Sequence, residues 1–219
     1  MKTAVLLGAG GLGCPAALAL RDEAQARGLE LRLVIVDDDR IERSNLSRQI
    51  LYTEREVGLF KSEVAARRLG AVARVARFNA ATAAGLLERA DLLLDGTDNF
   101  ETRLLANDEA VARGLPLVHG AALGWSGQLL TILPGRTGCL RCLFERPPPA
   151  GSVPACAEAG VLSPLCGLVG AAMARAAIQV LLGAPEAGVL WRWDALRGTE
   201  RQLSVKRDPS CAACALVAS

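Results

Sequence analysis

Thr3-Ala-Val-Leu-Leu-Gly-Ala-Gly-Gly-Leu-Gly-Cys-Pro15, read together with Leu33-Val-Ile-Val-Asp37, decides the fold. A short apolar run enters Gly8-Ala-Gly-Gly-Leu-Gly13, which has the G-x-G-x-x-G spacing, and leaves into an Ala/Leu-rich helical stretch from Pro15 to Arg27. The order is strand, glycine turn, helix. In such a unit Gly8 permits the tight turn, Gly10 lets backbone amides approach a phosphate, and Gly13 lets the helix pack on the strand, with Gly11 inside the same turn. Asp37 closes the next apolar run, where a carboxylate can accept hydrogen bonds from ribose hydroxyls. A nucleotide is expected here; a glycine turn without a ligand is the competing possibility.

The same N-terminus faintly resembles a secretory signal or, at Leu12-Gly13-Cys14, a lipid-attachment site. Four glycines in six residues interrupt the apolar run, and cleavage would remove the first strand. The 219 residues suffice for one substantial core, and no charged or Ser/Gly-rich linker divides them, so a single domain spanning 1–219 is expected. A formal charge of +2, with basic residues dispersed among acidic ones, indicates neither nucleic acid nor an anionic membrane as partner. Hydrophobic residues make up 51%, chiefly Ala, Leu and Val, which suits a parallel sheet covered on both faces. Seven cysteines without a secretory signal point to a reducing, cytoplasmic compartment and to metal or thiol chemistry.

Beyond the strand from Leu31 to Asp37, the polar segment to Tyr52 reads as a loop over the carboxyl edge of the sheet, where open α/β sheets bind ligands. Thr53-x-x-Glu56 is a capping-box pattern, and Lys61 to Leu69 reads as a helix with Val64, Ala65 and Leu69 inward. A weak strand is expected over Arg74 to Ala80, then a helix from Thr82 to near Ala90. Asp91 to Asp95 is a short buried strand, and Gly96-Thr-Asp-Asn99 again puts polar groups at a strand end before a helix to about Arg113. Leu117 to Gly120 and Gly127 to Leu133 follow each other without a helix, so the sheet should turn antiparallel there. His119 is alone in an apolar strand, where a histidine is more often structural than catalytic, and is given no role. A proline-rich loop from Arg146 to Pro154 leads to Cys156. Pro164 to Leu182 is apolar nearly all round; its Gly and Ala content, with Arg175 and Gln179 inside, favours a helix buried in the fold or at a subunit interface over a membrane span. Two strands, Val189 to Asp194 and Gln202 to Lys206, end the chain. The fold class expected is α/β, a Rossmann-like mostly parallel sheet with antiparallel C-terminal strands.

Two constellations carry chemistry. Cys139-x-x-Cys142 and Cys211-x-x-Cys214 supply four thiolates, the ligand set of a closed structural zinc site with no position left for a catalytic water. Asp37, Asn45, Arg48, Lys61 and Asp98 all follow strands and should meet at the carboxyl edge. Two cations and carboxylates beside a phosphate-binding turn suit ATP with magnesium: Arg48 and Lys61 on phosphate oxygens, Asp98 on the metal. No G-x-x-x-x-G-K-[ST] sequence supports an ordinary P-loop site.

These residues bring the chain to a known family. Gly8-Ala-Gly-Gly-Leu-Gly-Cys14, Asp37 with Ser44-Asn-Leu-Ser-Arg-Gln49, Val57-Gly-Leu-Phe-Lys61, Asp95-Gly-Thr-Asp-Asn99, both C-x-x-C pairs and Cys156-Ala-Glu-Ala-Gly-Val161 resemble the ThiF/MoeB/HesA group, the ubiquitin-activating-type adenylyltransferases of sulfur-carrier pathways. The resemblance spans nearly the entire chain. It implies ATP-dependent adenylation of the C-terminal Gly-Gly carboxylate of a ubiquitin-like carrier of ThiS or MoaD type, for thiamine, molybdopterin or tRNA thiolation. It implies Asp37 on the ribose, Ser44, Asn45, Arg48 and Lys61 around the phosphates, Asp98 with Asn99 at magnesium, Cys156 on a loop crossing the adenylate, and a homodimer. Family members usually carry an N-terminal arm whose arginine reaches the neighbouring subunit's ATP. Here a substitute cation is expected, and persulfide is expected from a separate protein, since no rhodanese-like domain follows. The alternatives are a zinc-containing NAD(P)-dependent oxidoreductase, which leaves Arg48, Lys61 and Asp98 unassigned, and a non-catalytic carrier-binding homologue.

Overall fold

A computed structural model describes residues 1–147, 149 and 160–215; Cys156 and most of the proline-rich loop lie outside the described residues. The elements are β1 (Lys2–Leu7), α1 (Gly13–Ala26), β2 (Leu31–Val36), α2 (Lys61–Leu69), β3 (Val72–Arg74), α3 (Ala83–Leu87), β4 (Leu92–Asp95), α4 (Phe100–Ala112), β5 (Leu117–Leu123), β6 (Ser126–Ile132), α5 (Leu140–Leu143), α6 (Ser163–Leu181), β7 (Val189–Asp194), β8 (Thr199–Ser204) and α7 (Ala212–Ala215). The strands form one sheet in the order β3-β2-β1-β4-β5-β6-β7-β8. Strands β1 to β5 pair in parallel and the last three join antiparallel, as expected from the missing helix between β5 and β6.

The central strands are apolar without interruption because both faces are covered. Their side chains alternate between two cores. Ala4, Leu6, Leu92, Leu94 and Val118 face the layer holding α1 and α6. Val5, Leu7, Leu93 and Leu117 face the layer holding α3 and α4. Helix α6 has the length and composition of a membrane span, yet half of its apolar window is buried in the protein. Leu165, Val169, Met173 and Ile178 are at most 2% exposed, each contributing roughly 1.5–3 kcal/mol relative to exposure. Its backbone approaches α1 so closely that a Cβ on Gly170 would stand 2.7 Å from Pro15.

Three boundaries differ from the expectation. The edge strand is Val72–Arg74, paired with Val34 to Val36, and the chain then leaves the sheet: Arg74 O accepts from Asp37 N, and Phe78 turns into the core. Helix α3 stops at Leu87, and its start is capped from Asn79, whose Oδ1 accepts from the amides of Ala81 and Thr82. Strand β8 begins at Thr199 because Asp194 Oδ1 accepts from Leu196 and Arg197 N–H, which closes the hairpin tightly.

Candidate functional site

The sheet order reverses between β1 and β4, and the carboxyl ends there open onto a cleft of about 710 Å³. Gly8 turns the chain out of β1 at φ +83°, a conformation only glycine adopts freely, with its N–H bonded to Val36 O at 2.9 Å. A Cβ on Gly13 would stand 2.8 Å from the Gly8 carbonyl carbon and closer still to its oxygen, so glycine is required where α1 starts. Gly10 and Gly11 line the cleft. Tyr52 fixes the turn from beneath: its hydroxyl donates to Ala9 O at 2.7 Å, and burial drives the phenol's pKa upward.

Asp37 ends β2 against this turn. One carboxylate oxygen accepts from Ala9 N at 2.7 Å and the other from Asp39 N at 2.8 Å. Burial raises its pKa, against the pull of the Ala9 amide and the Lys61 charge. Lys61 opens α2 with its residue only 6% exposed, and its Nζ meets Asp39 Oδ2 at 2.7 Å. Asp39 is largely exposed, so an arriving anion can compete with it for the ammonium. Asp39 was missed in the sequence; the run Asp37-Asp-Asp39 at the end of an apolar strand was the available signal.

Arg48 lies along the cleft, its Cδ 3.5 Å from where a Gly11 Cβ would stand and its guanidinium donating to Ser44 O at 3.1 Å. Asn45 is buried and reaches the cleft, but its amide also works locally, accepting from Glu42 N at 3.3 Å and donating to Ser44 Oγ at 3.4 Å. Ser44 is exposed and outside the cleft lining. On the opposite wall Asp98 is exposed at the cleft, and Asn99 Oδ1 caps α4 by accepting from Thr102 N at 2.8 Å.

The turn that carries Asp98 is pinned from both sides. Asp95, fully buried, accepts from Thr97 N at 3.0 Å and Thr97 Oγ1 at 2.6 Å, and its other oxygen lies 2.8 Å from His119 Nδ1. Burial would raise this carboxyl's pKa; the His119 contact, the Arg103 charge and the Thr97 bond hold it below the usual value. Arg103 donates twice to Thr97 O, at 3.0 and 2.8 Å. The lone histidine, given no role from the sequence, is half of a buried pair beneath this turn.

The four cysteines meet beside α4, at the level of Asn107. Four of their Sγ separations are 3.5 to 3.9 Å, and all four sulfurs lie within 4.8 Å of one another. A tetrahedron with zinc–sulfur bonds of about 2.3 Å has edges of roughly 3.8 Å, whereas a disulfide needs about 2.05 Å, so the set fits a four-coordinate metal. Asn107, fully buried on α4, accepts from Leu140 N at 2.9 Å and donates to Cys139 Sγ at 3.7 Å. Arg141 grips Asp108 through a fork of 2.6 to 3.1 Å. Burial pushes the Cys139 thiol up to about 11, while Cys142 falls below its ordinary value: burial opposes this, but the Asp208 N–H, 3.4 Å from its sulfur, the Cys139 backbone and the neighbouring Cys214 and Cys211 thiols together outweigh it. The cluster ties the C-terminal helix α7 to the body of the fold.

The profile of the ThiF family matches residues 2–213. The chain is 45% identical over 224 residues to the sulfur carrier protein adenylyltransferase of Thermus thermophilus, covering 96% of this chain and 81% of that one. It is 41% identical to the SAMP-activating enzyme E1 of Haloferax volcanii, over 96% of this chain and 79% of that one. It is 39% identical to adenylyltransferase and sulfurtransferase MOCS3 of Sus scrofa, of which it spans 47%. The fold is shared with Escherichia coli MccB, solved with ATP, at a TM-score of 0.82 and 21% identity over 98% of this chain and 67% of that one. Matched over nearly its whole length, the chain belongs to the ThiF family as a ThiF/MoeB-type adenylyltransferase.

Proposed function

We propose that this chain, acting as one nucleotide-binding unit, adenylates the C-terminal glycine carboxylate of a ubiquitin-like sulfur carrier with ATP and releases pyrophosphate. The observation that carries this is one cleft lined by the glycine turn, Asp37, Arg48, Lys61 and Asp98, in a chain whose relatives act on sulfur carriers or SAMP proteins by name.

A carboxylate oxygen of the carrier attacks the α-phosphorus. The bond from that phosphorus to the oxygen bridging toward the β-phosphate breaks, and pyrophosphate leaves with the electron pair. No base is needed, because the nucleophile is ionised at neutral pH. Asp37 accepts from the ribose hydroxyls with the lone pairs its two amide donors leave free. Lys61 exchanges Asp39 for phosphate oxygens, and Arg48 and Asn45 converge on the same charge, so positioning and electrostatics supply the rate. Asp98, with Asn99 fixing its turn, would hold magnesium, which supplies charge neutralisation to the leaving pyrophosphate. The four cysteines would hold a structural zinc.

We further assign sulfur delivery to a separate persulfide donor in a reducing, cytoplasmic setting, serving thiamine, molybdopterin or tRNA thiolation, and a homodimer that covers the outward side of α6, where Leu168 is 49% exposed. Sedimentation showing a monomer would remove the dimer. Cys156 stands for a thiol used only after adenylation: Cys156→Ser should keep pyrophosphate exchange and lose carrier sulfuration, and a variant that keeps both leaves the chain as an adenylating enzyme only.

Carrier-dependent exchange of labelled pyrophosphate into ATP tests the central step. Asp98→Ala should abolish it and Lys61→Ala should cost about a hundredfold or more, with the two effects less than additive. Near wild-type exchange in both variants would refute the site.

A further inference from the structure

Gln49 has no part in the steps above. It follows Arg48, is only 3% exposed and borders the cleft. Its Nε2 lies 3.7 Å from where a Cβ on Gly10 would stand. Its Oε1 is buried without a hydrogen-bond partner, the one such side-chain atom among the described residues. A buried amide oxygen without a donor is a cost that an apolar side chain of the same shape would not carry, so packing gives no reason for an amide here. What the amide has and methionine lacks is a pair of N–H donors beside Gly10.

Ala9 N is held by Asp37, the ribose-side carboxylate, and Gly10 is the next residue toward the phosphates. The ligand offers only acceptor oxygens at that point. We propose that Gln49 is a nucleotide-contacting residue that donates an Nε2 hydrogen to a non-bridging oxygen of the phosphate next to the ribose. This rests on the cleft being the ATP site, and it deepens that assignment. The bonded phosphorus is the one the carboxylate attacks, so the contact also orients the reacting centre.

The test uses the whole chain without carrier, as wild type, Gln49→Met and Gln49→Glu. Thermal melting is measured beside competition of adenosine, AMP and ATP against a fluorescent adenine nucleotide. Gln49→Met should melt at or above wild type, bind AMP and ATP about 10- to 100-fold more weakly, as for one lost hydrogen bond to a charged group, and compete like wild type with adenosine. Gln49→Glu, which lacks the donor and adds negative charge, should bind AMP more weakly still. A Gln49→Met protein that melts lower returns the residue to a role in the fold, and one that loses adenosine as much as AMP moves the contact to the nucleoside. Unchanged AMP affinity also overturns the proposal. Wild type that binds AMP and ATP but supports no carrier-dependent exchange refutes the adenylation step alone and leaves the Gln49 result standing.

Discussion

Replacing Gly13 and Gly10 by alanine separates fold from function within one hexapeptide. At Gly13 the added methyl would sit 2.8 Å from the Gly8 carbonyl carbon and inside contact with its oxygen, backbone against backbone. No side chain can swing away, so either α1 or the turn must move. Overpacking of this kind costs about 3 kcal/mol, the upper end of the usual range. Alanine's better helix propensity, at the first residue of α1, returns at most about 1 kcal/mol. The net loss of about 2 kcal/mol corresponds to a melting temperature lower by roughly 4–8 °C for a chain of this size. At Gly10 the new methyl meets only Gln49 Nε2 at 3.7 Å, an ordinary contact, so stability should hold while ATP binding falls, because the methyl stands where backbone must approach phosphate. Differential scanning fluorimetry with and without ATP reads both. A Gly13→Ala protein melting within about 1 °C of wild type would show that the turn accommodates the methyl and that glycine is not required there.

Metal analysis should find about one zinc per chain, and Cys211→Ser or a strong chelator should loosen the C-terminal end, seen as faster proteolysis there; carefully purified protein without zinc would contradict the site. Asp95 has a folded pKa below its unfolded value of about 3.9, so its stabilisation is full above that value and is lost as pH falls through the folded pKa. Asp95→Asn should cost about 3 kcal/mol at neutral pH and flatten the fall in urea midpoint on acidification; an unchanged acid slope would show that the buried pair does not carry it.

The parts of the fold written in local pattern were legible. The glycine spacing located β1, the turn and α1, and uninterrupted apolar runs located the central strands. The β5–β6 hairpin followed from the absence of a helix between them. Edges were not legible, because β3 and β8 are bounded by a few local hydrogen bonds, Arg74 O with Asp37 N and the two amides on Asp194 Oδ1, rather than by composition. The cleft residues Asp37, Asn45, Arg48, Lys61 and Asp98 were found through strand ends and motif. Their partners were not: Asp95 meets His119 through the β4–β5 register, and Asp39 meets Lys61 where Arg40 and Phe60 form an isolated bridge, pairings between residues far apart in sequence. The cysteine pairs were legible as ligands, but their separation gave no sign that Asn107 on α4 would brace them.

The most direct measurement of the central claim is the intact mass of a purified ubiquitin-like carrier ending in Gly-Gly after incubation with this chain, ATP and magnesium. The carrier should become heavier by one adenylyl group, only with an ionised C-terminal carboxylate, and should stay unchanged with the Asp98→Ala chain. A carrier of unchanged mass, with ATP bound in the cleft and the cysteine cluster filled, would contradict that claim.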